Sequence, residues 1–362
     1  MTAPEAPERP AGPATRSAGL LRIWLPLLAV SIAIGALLQL LELPASLLLG
    51  PMLAAILFSG AGRKIVMPKL PFNLAQGVIG TLVASTMTAP VLEEVGNDWM
   101  LFAGGVLSVV FVSLVIGWLL ARYQVLPGTT AIWGAFPGAA TVMTLMSGAY
   151  GADMRLVAFM QYTRVVIVTL VAATIARVWT GGGGQSEAAL WLTEPRWWPL
   201  GQTLLMVVSG VLIGRRLKLP AGPMIVPVVL GSALNVAGLI EIELPRALLA
   251  ASYALVGWGI GSRFDRDVLL HARRALPRVL ASIFALVAVC ACFAGLLVWL
   301  ADIDPLTAYL ATSPGGADAV AIISASTNVD VAFVMAMQIA RFFFVMALGP
   351  MLARFVAGRS RF

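Results

Sequence analysis

The chain has 362 residues, of which 60% are hydrophobic and 11% are charged, and its formal net charge is +7. A soluble domain carries about 25% charged residues, so this composition excludes an ordinary soluble protein. The positive charge is typical of a membrane protein whose Arg and Lys gather in short loops on one side of the bilayer, and it does not require a nucleic-acid partner.

Ten apolar segments follow a polar, Pro- and Ala-rich stretch, 1–19, which we expect to be a disordered tail. A helix of about 20 residues crosses the hydrocarbon core of a bilayer, so each segment is predicted to span the membrane. No cleavable signal peptide is predicted, because the first segment is too long and many similar ones follow. The predicted spans, in chain order, are 20–41, 43–60, 71–91, 99–121, 155–179, 199–215, 220–239, 245–262, 277–301 and 330–356.

The spans fall into two halves, 20–180 and 199–357, joined by a linker at 181–198 and followed by a short cytoplasmic tail at 358–362. The two halves repeat each other with an offset of 176 or 177 residues. Residues that are costly within a membrane but occur in both halves indicate a functional site. The matched pairs are Pro44 and Pro220, Pro51 and Pro227, Gly80 and Gly257, Ser85 and Ser262, Pro137-Gly138 and Pro314-Gly315, Asp153 and Asp330, Gln161 and Gln338, and Arg164 and Arg341.

Two further apolar segments, 128–149 and 305–327, contain a Pro-Gly pair near the middle. Proline removes a helical hydrogen bond and clashes with the preceding turn, and the adjacent glycine weakens the helix further. Each segment is therefore predicted to form two half-helices around a break. The backbone N–H groups that begin the second half-helix are free and carry the positive end of a helix dipole, which favours an anion.

Loop charges predict how the chain is threaded. The basic loops 62–69 and 263–278 are expected in the cytoplasm, and the acidic loops 93–98 and 241–243 outside. Equivalent loops of the two halves then lie on opposite sides, as in inverted repeats, which requires an odd number of crossings per half. Re-entrant Pro-Gly segments give five crossings and satisfy every assignment. Full spans give six and reverse the charges of the second half.

The predicted fold is thus an all-α polytopic membrane protein with two inverted-topology repeats. Each repeat contains about five transmembrane helices plus one Pro-Gly-broken, re-entrant segment, and both termini are cytoplasmic. Cys290 and Cys292 lie two residues apart on a predicted helix. Side chains at that spacing point away from each other, so no disulfide is predicted.

Arg164 and Arg341 each lie about ten residues into a span, which is roughly 15 Å along the helix and near the bilayer midplane. A guanidinium there needs a partner, a water-filled cavity or an anionic ligand. Two interpretations stay open: the arginines, helped by the glutamines one turn earlier, clamp carbonyls freed at the breaks, or they bind a substrate. The residues predicted to bind substrate are Arg164, Arg341, Gln161, Gln338, Pro137, Gly138, Pro314, Gly315 and Gly316.

Three aspartates accompany these residues. Asp153 and Asp330 stand where a helix N-cap belongs, and their predicted role is structural or capping. Asp318 follows the second break. It is predicted either to pair with Arg341 or Arg164, or to take part in coupling to an ion, H⁺ or Na⁺.

The pattern Pro-Gly-Gly/Ala, Gly/Asn-x-Asp and Val-x-x-Met-Gln-x-x-Arg occurs twice, ending at Arg164 and Arg341. In this the chain resembles the AbrB family of bacterial inner-membrane proteins, the "AbrB duplication" group, over essentially everything after the tail. That family carries the labels ammonia monooxygenase and transcriptional regulator. A monooxygenase of that kind needs a copper or iron site built largely from His and carboxylates, whereas this chain has a single histidine, His271. A direct DNA-binding regulator needs a soluble reading domain, and none is predicted.

The sequence therefore predicts a secondary transporter or permease of the bacterial inner membrane. It would carry a small, anionic organic solute at a midplane site where the broken segments meet the two arginines. The alternative is a membrane-embedded sensor with an indirect role in regulation of gene expression. No enzymatic activity, cofactor, metal or direct nucleic-acid contact is predicted. The expected partners are the solute, a coupling ion and the lipid bilayer, and an oligomer is compatible with the sequence.

Overall fold

The computed structural model describes residues 13–41, 43, 45–87, 96, 99–123, 129–137, 143–144, 147, 150–180, 196–218 and 222–359. Every regular element within these residues is a helix. The helices are α1 Pro13–Leu40, α2 Ser46–Gly60, α3 Lys69–Thr86, α4 Trp99–Arg122, α5 Thr130–Ala135, α6 Met154–Thr180, α7 Trp197–Arg216, α8 Gly222–Val236, α9 Arg246–Gly261, α10 Arg266–Ala272, α11 Leu276–Ala301, α12 Pro305–Thr312, α13 Ala317–Ala325 and α14 Val331–Arg359.

A helix lies at each of the ten predicted spans, and most boundaries differ by three residues or fewer. The exceptions are the start of α1 and the end of α3. Helix α1 begins at Pro13, inside the stretch expected to be a tail, because proline is well suited to the first position of a helix. Helix α3 ends at Thr86, since Met87 already has extended backbone angles. The short helix α10 in the basic loop was not predicted from the sequence, and Asp265 caps its N-terminus.

The long helices have the composition and length of membrane spans. Five of those in the described residues are long and apolar enough to cross a bilayer: Ile23–Leu40, Trp99–Arg122, Met154–Thr180, Trp197–Arg216 and Leu276–Ala301. Three shorter apolar helices accompany them: Ser46–Gly60, Gly222–Val236 and Val331–Val345.

The outer faces of these helices are apolar. Ile32 on α1 and Leu205 on α7 are 62% and 72% exposed, and Trp198 and Trp299, near helix ends, are 78% and 80% exposed. Exposed apolar faces of this size are unusual on a soluble protein, and tryptophans at helix ends are typical of the membrane–water interface. The helical fold and these faces together define a polytopic membrane protein.

The helices form two bundles, each built from both halves of the chain. The first bundle contains α1, α2, α3, α7, α8 and α9. The second contains both broken segments and the arginine-bearing helices, with α4, α5, α6, α11, α12, α13 and α14. Helix α3 connects the two, because it also packs against α13 and α14.

Within the first bundle, repeated residues of one half contact repeated residues of the other. A Cβ at Gly80 of α3 would lie 2.3 Å from the carbonyl oxygen of Met224 and 3.3 Å from the Cβ of Pro227. A Cβ at Gly257 of α9 would lie in the same way 3.2 Å from the Cβ of Pro51. Only glycine allows backbones to approach this closely, so the matched Gly and Pro residues fix the contact between the halves.

Candidate functional site

The two breaks begin with the same backbone conformation. In the second, α12 ends, Ser313 takes extended angles (ψ 135°), and α13 starts after Gly316. In the first, α5 ends and Phe136 takes ψ 129°. The extended residue precedes the proline in both, because proline excludes helical angles from the residue before it. Gly138, predicted to contact substrate, lies outside the described residues.

The start of each broken segment is hydrogen-bonded to the start of the helix that follows the segment. The backbone N–H of Asp153, at the start of α6, donates to Oγ1 of Thr130, at the start of α5, over 3.1 Å. In the second half, the N–H of Asp330 donates to Oγ1 of Thr307 over 3.3 Å. The two ends of each broken segment, 23 positions apart in the sequence, are therefore in contact with each other.

At the first break, Arg164 and Gln161 of α6 bind the carbonyls that the break leaves free. Nη1 of Arg164 donates to the carbonyl oxygens of Ala135 (3.0 Å) and Phe136 (2.8 Å). Nε2 of Gln161 donates to those of Trp133 and Phe136, both at 3.0 Å. Nη2 of Arg164 donates in turn to Oε1 of Gln161 at 2.6 Å.

At the second break, Arg341 and Gln338 of α14 repeat this arrangement. Nη1 of Arg341 donates to the carbonyl oxygen of Ser313 (2.6 Å), and Nη2 donates to that of Gly315 (3.2 Å). Nε2 of Gln338 donates to the carbonyls of Leu310 (2.8 Å) and Ser313 (3.2 Å). Nη2 of Arg341 also donates to Oε1 of Gln338. The contacts expected of a structural clamp are thus present at both breaks, and substrate binding by the same residues stays a prediction.

The clamps do not use every donor of the guanidinium groups. Arg164 and Arg341 are 3% and 4% exposed, and neither forms an ion pair among the described residues. Each donates three hydrogen bonds out of the five that a guanidinium offers. Nε of each is buried and has no partner. The two groups are also close enough to repel each other, and Cys290 of α11 lies near both. The result is an electropositive, buried centre with unused donors.

The lining of the two breaks differs. The first break presents Phe136, which is fully buried. At the equivalent place, the second break has Ser313, whose hydroxyl is buried without a hydrogen-bond partner. Two more hydroxyls near the second break, those of Tyr309 and Ser324, are also buried and unpartnered. In the first half, the hydroxyl of Ser147 donates to a carbonyl one turn earlier, as serines in helices commonly do.

Asp153 and Asp330 stand at helix starts, as predicted. Oδ1 of Asp153 accepts from the backbone N–H groups of Arg155 (2.9 Å) and Leu156 (3.2 Å). Oδ1 of Asp330 accepts from the N–H of Phe333 at 2.9 Å. These are the contacts of helix N-caps, which satisfy N–H groups that have no partner within the helix.

Asp318 is paired with neither arginine. It lies in the first turn of α13 and is half-buried, and its carboxyl group interacts with the side chain of Gln76 on α3. The predicted ion pair with Arg341 or Arg164 was wrong, because both guanidiniums point at the carbonyls of the breaks instead. Sequence reasoning missed Gln76, since it lies 242 positions before Asp318 and only the packing of α3 on α13 brings the two together.

The remaining predicted residues lie at the breaks. Pro137, Pro314 and Gly315 are buried, and Gly316 is half-buried. A small cavity, with about 10 Å³ open to the centre of a water molecule, adjoins Arg164 between α5, α6 and α11. That volume holds about one water. Cys290 and Cys292 form no disulfide, as predicted. Among the described residues, no group of three or more His, Cys, Asp or Glu could hold a metal ion.

The class of protein is therefore an all-helical, polytopic membrane protein with two clamped helix breaks inside it. The profile of the family described as "Transition state regulatory protein AbrB" matches residues 47–357, and the chain belongs to this AbrB family, as its repeated motif predicted. "Putative regulator AbrB" of Escherichia coli (strain K12) is 44% identical over 318 residues, which cover 87% of this chain and 91% of that protein. "Uncharacterized protein YhjN" of Bacillus subtilis (strain 168) is 24% identical over 302 residues, 76% of each chain. No solved structure matches.

Proposed function

We propose that this protein is a secondary transporter or permease that carries a small, anionic organic solute, without converting it chemically. The observation that supports this best is the pair of buried guanidiniums, which have unused N–H donors and no carboxylate partner among the described residues. A buried charge without a counter-charge is costly, and an anion bound between Arg164 and Arg341 would relieve that cost. A carboxylate suits the planar donor array of a guanidinium.

The second break offers the better binding surface. Its half-helix α13 begins without a side-chain cap, so its first N–H groups and the positive end of its dipole are available to an anion. The unpartnered hydroxyl of Ser313 faces the space beside Gly315, 3.7 Å from where a Cβ on that glycine would lie. In this proposal the carboxylate of the solute contacts Arg341, and the hydroxyls of the second break contact its polar substituents.

Inverted repeats are part of the proposal. Gly80 contacts Pro227, and the equivalent Gly257 contacts Pro51, the equivalent of Pro227. These reciprocal contacts support two halves related by a pseudo-two-fold axis. The hydrogen bonds from Asp153 to Thr130 and from Asp330 to Thr307 support re-entrant segments, since each segment begins and ends at one level. On the basis of this arrangement and the loop charges, we propose that the protein lies in the inner membrane with both termini in the cytoplasm.

The test is ligand-dependent stabilisation of the purified protein. The protein in detergent is mixed with acetate, lactate, succinate or glutamate, or with matched concentrations of cations, and its melting temperature is measured. A bound anion stabilises the folded state by about 2.7 kcal/mol at 100 times its Kd, and the melting temperature rises accordingly. Arg341→Lys keeps the charge but loses the planar donor array, so it should remove the shift. The exposed Arg273→Lys is the control and should keep it. Equal shifts in wild type and Arg341→Lys would argue against this site.

A sensor is the second candidate, because the relative from Escherichia coli carries the word regulator in its name. It would bind the same solute without moving it, and any effect on gene expression would be indirect. Uptake of the radiolabelled anion into proteoliposomes separates the two functions. Accumulation supports the transporter, whereas stabilisation by an anion without uptake supports the sensor.

A further inference from the structure

A cavity for a single small particle lies beside Arg164, at the first break. It is lined by residues of α4, α5, α6 and α11, and about 10 Å³ of it is open to the centre of a water molecule. Gly134, Ala135, Met160 and Arg164 contribute buried walls to it. A space of this volume holds one water molecule or one ion of similar size.

Arg164 brings a positive charge to this cavity that no described group neutralises. Its guanidinium donates to the carbonyl oxygens of Ala135 and Phe136 and to the side-chain oxygen of Gln161, which are all neutral groups. Nε of Arg164 is buried without a hydrogen-bond partner, and the residue forms no ion pair within the described parts of the chain. A buried charge without a counter-charge is costly, so the cavity favours an anion.

The other walls of the cavity are mostly apolar and suit a halide ion better than a water molecule. Ile116 of α4 and Ile283 of α11 present aliphatic side chains. A buried water needs about two to four polar partners, and some of them must accept its hydrogens. The carbonyl of Ala135 already accepts from Arg164, and the hydroxyl of Ser282 is the one other polar side-chain group among the described lining residues. A halide ion has no hydrogens, so it needs only the donor.

The volume and charge of the cavity exclude other ions. A carboxylate has several heavy atoms and does not fit a space for one water molecule. A metal cation would be repelled by Arg164 and would find no carboxylate among the described lining residues. Chloride is slightly larger than water, and the flexible side chain of Met160 can adapt to it. A single chloride ion is therefore the occupant that charge and volume favour.

The equivalent methionine is placed differently at the second clamp. Met160 lies against Gly134, where a Cβ would be 2.3 Å from its Sδ. The second half has Ala311 in the place of Gly134. There Met337 lies against Gly105 of α4, where a Cβ would be 2.1 Å from its Cε. The two clamps therefore differ in the packing around the guanidinium, and the cavity described here belongs to the first.

We propose that this cavity binds one chloride ion, which accepts a hydrogen bond from Nε of Arg164. The ion neutralises the guanidinium of the first clamp and does not occupy the second break, so Arg341 stays available to the carboxylate of a solute. This inference goes beyond the proposed function and does not depend on it, because a buried Arg164 needs a counter-charge in a sensor as much as in a transporter. The chloride is thus a permanent part of the first clamp.

Equilibrium dialysis of the purified protein against radiolabelled chloride tests the site, with sulfate, which is too large for the cavity, as the other anion. Wild type should bind one chloride ion per chain. Ile116→Phe gives α4 the residue that α11 has at the equivalent position, Phe293, and its ring should fill the cavity and remove saturable binding. Arg164→Gln removes the charge and should lose the ion as well. Leu119→Phe, a similar change at an exposed position of α4, is the control and should bind chloride as wild type does. Wild type without saturable binding, or chloride retained by a folded Ile116→Phe or Arg164→Gln protein, would overturn the inference.

Competition with a carboxylate separates this site from the proposed solute site. Saturating lactate should not displace the chloride, because the carboxylate is proposed to contact Arg341. Arg341→Lys should likewise lose the melting-temperature shift caused by a carboxylate but keep the chloride. Displacement by lactate, or loss of chloride in Arg341→Lys, would place both anions in one site, which refutes this inference and leaves the proposed function intact. If none of the four carboxylates stabilises the protein, the proposed function fails, and chloride binding still decides this inference.

Discussion

The two breaks share one clamp but have different linings. Gln161 and Arg164 bind the first break through the same kinds of contact that Gln338 and Arg341 make at the second. A break frees backbone carbonyls wherever it occurs, so both halves need the donors. Among the described residues, buried hydroxyls without a partner occur in both halves, at Thr129 and Thr163 in the first and at Tyr309, Ser313 and Ser324 in the second. At the break itself, however, the second half has the hydroxyl of Ser313 where the first has the buried ring of Phe136. The clamp therefore answers a structural need common to both breaks, whereas the hydroxyl of Ser313 distinguishes the second break and is the group that we propose contacts the solute.

Phe136 and Ser313 occupy equivalent positions in the two breaks. Substituting them should produce the largest difference in the free energy of unfolding. Phe136 is fully buried and its ring lies near Gly349 of α14. Phe136→Ala should therefore lower the free energy of unfolding by about 3–5 kcal/mol through loss of burial and creation of a cavity. Ser313→Ala should change it by less than about 0.5 kcal/mol, because the hydroxyl has no partner to lose.

Unfolding by SDS titration, with anion-dependent melting temperature measured alongside, checks both variants. Ser313→Ala is also expected to weaken anion binding several-fold, since the hydroxyl is proposed to contact the solute. A Ser313→Ala protein that is strongly destabilised, with unchanged anion binding, would make this hydroxyl structural and remove the difference between the breaks.

The glutamines should have equal effects in the two halves. Gln161→Leu and Gln338→Leu each remove two hydrogen bonds to freed carbonyls and the acceptor of a guanidinium. We expect each to lower the free energy of unfolding by about 2–3 kcal/mol, because the carbonyls and the guanidinium stay buried. The same SDS titration measures this change in the free energy of unfolding. Unequal losses, larger than experimental error, would show that the two clamps are not equivalent.

The helix caps should have the smallest effect. Asp153→Ala and Asp330→Ala each remove a side chain that accepts from backbone N–H groups at a helix start. A loss of about 1 kcal/mol is typical for an N-cap, and anion binding should stay unchanged because neither residue touches a break. Melting temperatures with and without the anion provide the measurement. Loss of the anion-induced shift in Asp330→Ala would place this carboxylate in the binding site.

The sequence by itself determined the helices, their approximate boundaries and the residues of the clamps. Apolar runs of membrane length fix where helices form, and the Pro-Gly pairs fix where they break, because both effects are local. The duplication then identified Gln161, Arg164, Gln338 and Arg341 as residues with a common task. Even the family was recognisable, since the repeated motif depends only on order and spacing.

The tertiary structure alone decided the partners of these residues. Whether a guanidinium meets a carboxylate or a carbonyl depends on how helices pack. The ion pair with Arg341 or Arg164, one of the two roles predicted for Asp318, was therefore wrong. Gln76 became visible only because α3 of one bundle packs against α13 of the other. The unequal lining of the breaks has the same origin: a serine and a phenylalanine can be read from the sequence, but packing decides that the hydroxyl of Ser313 is buried without a partner.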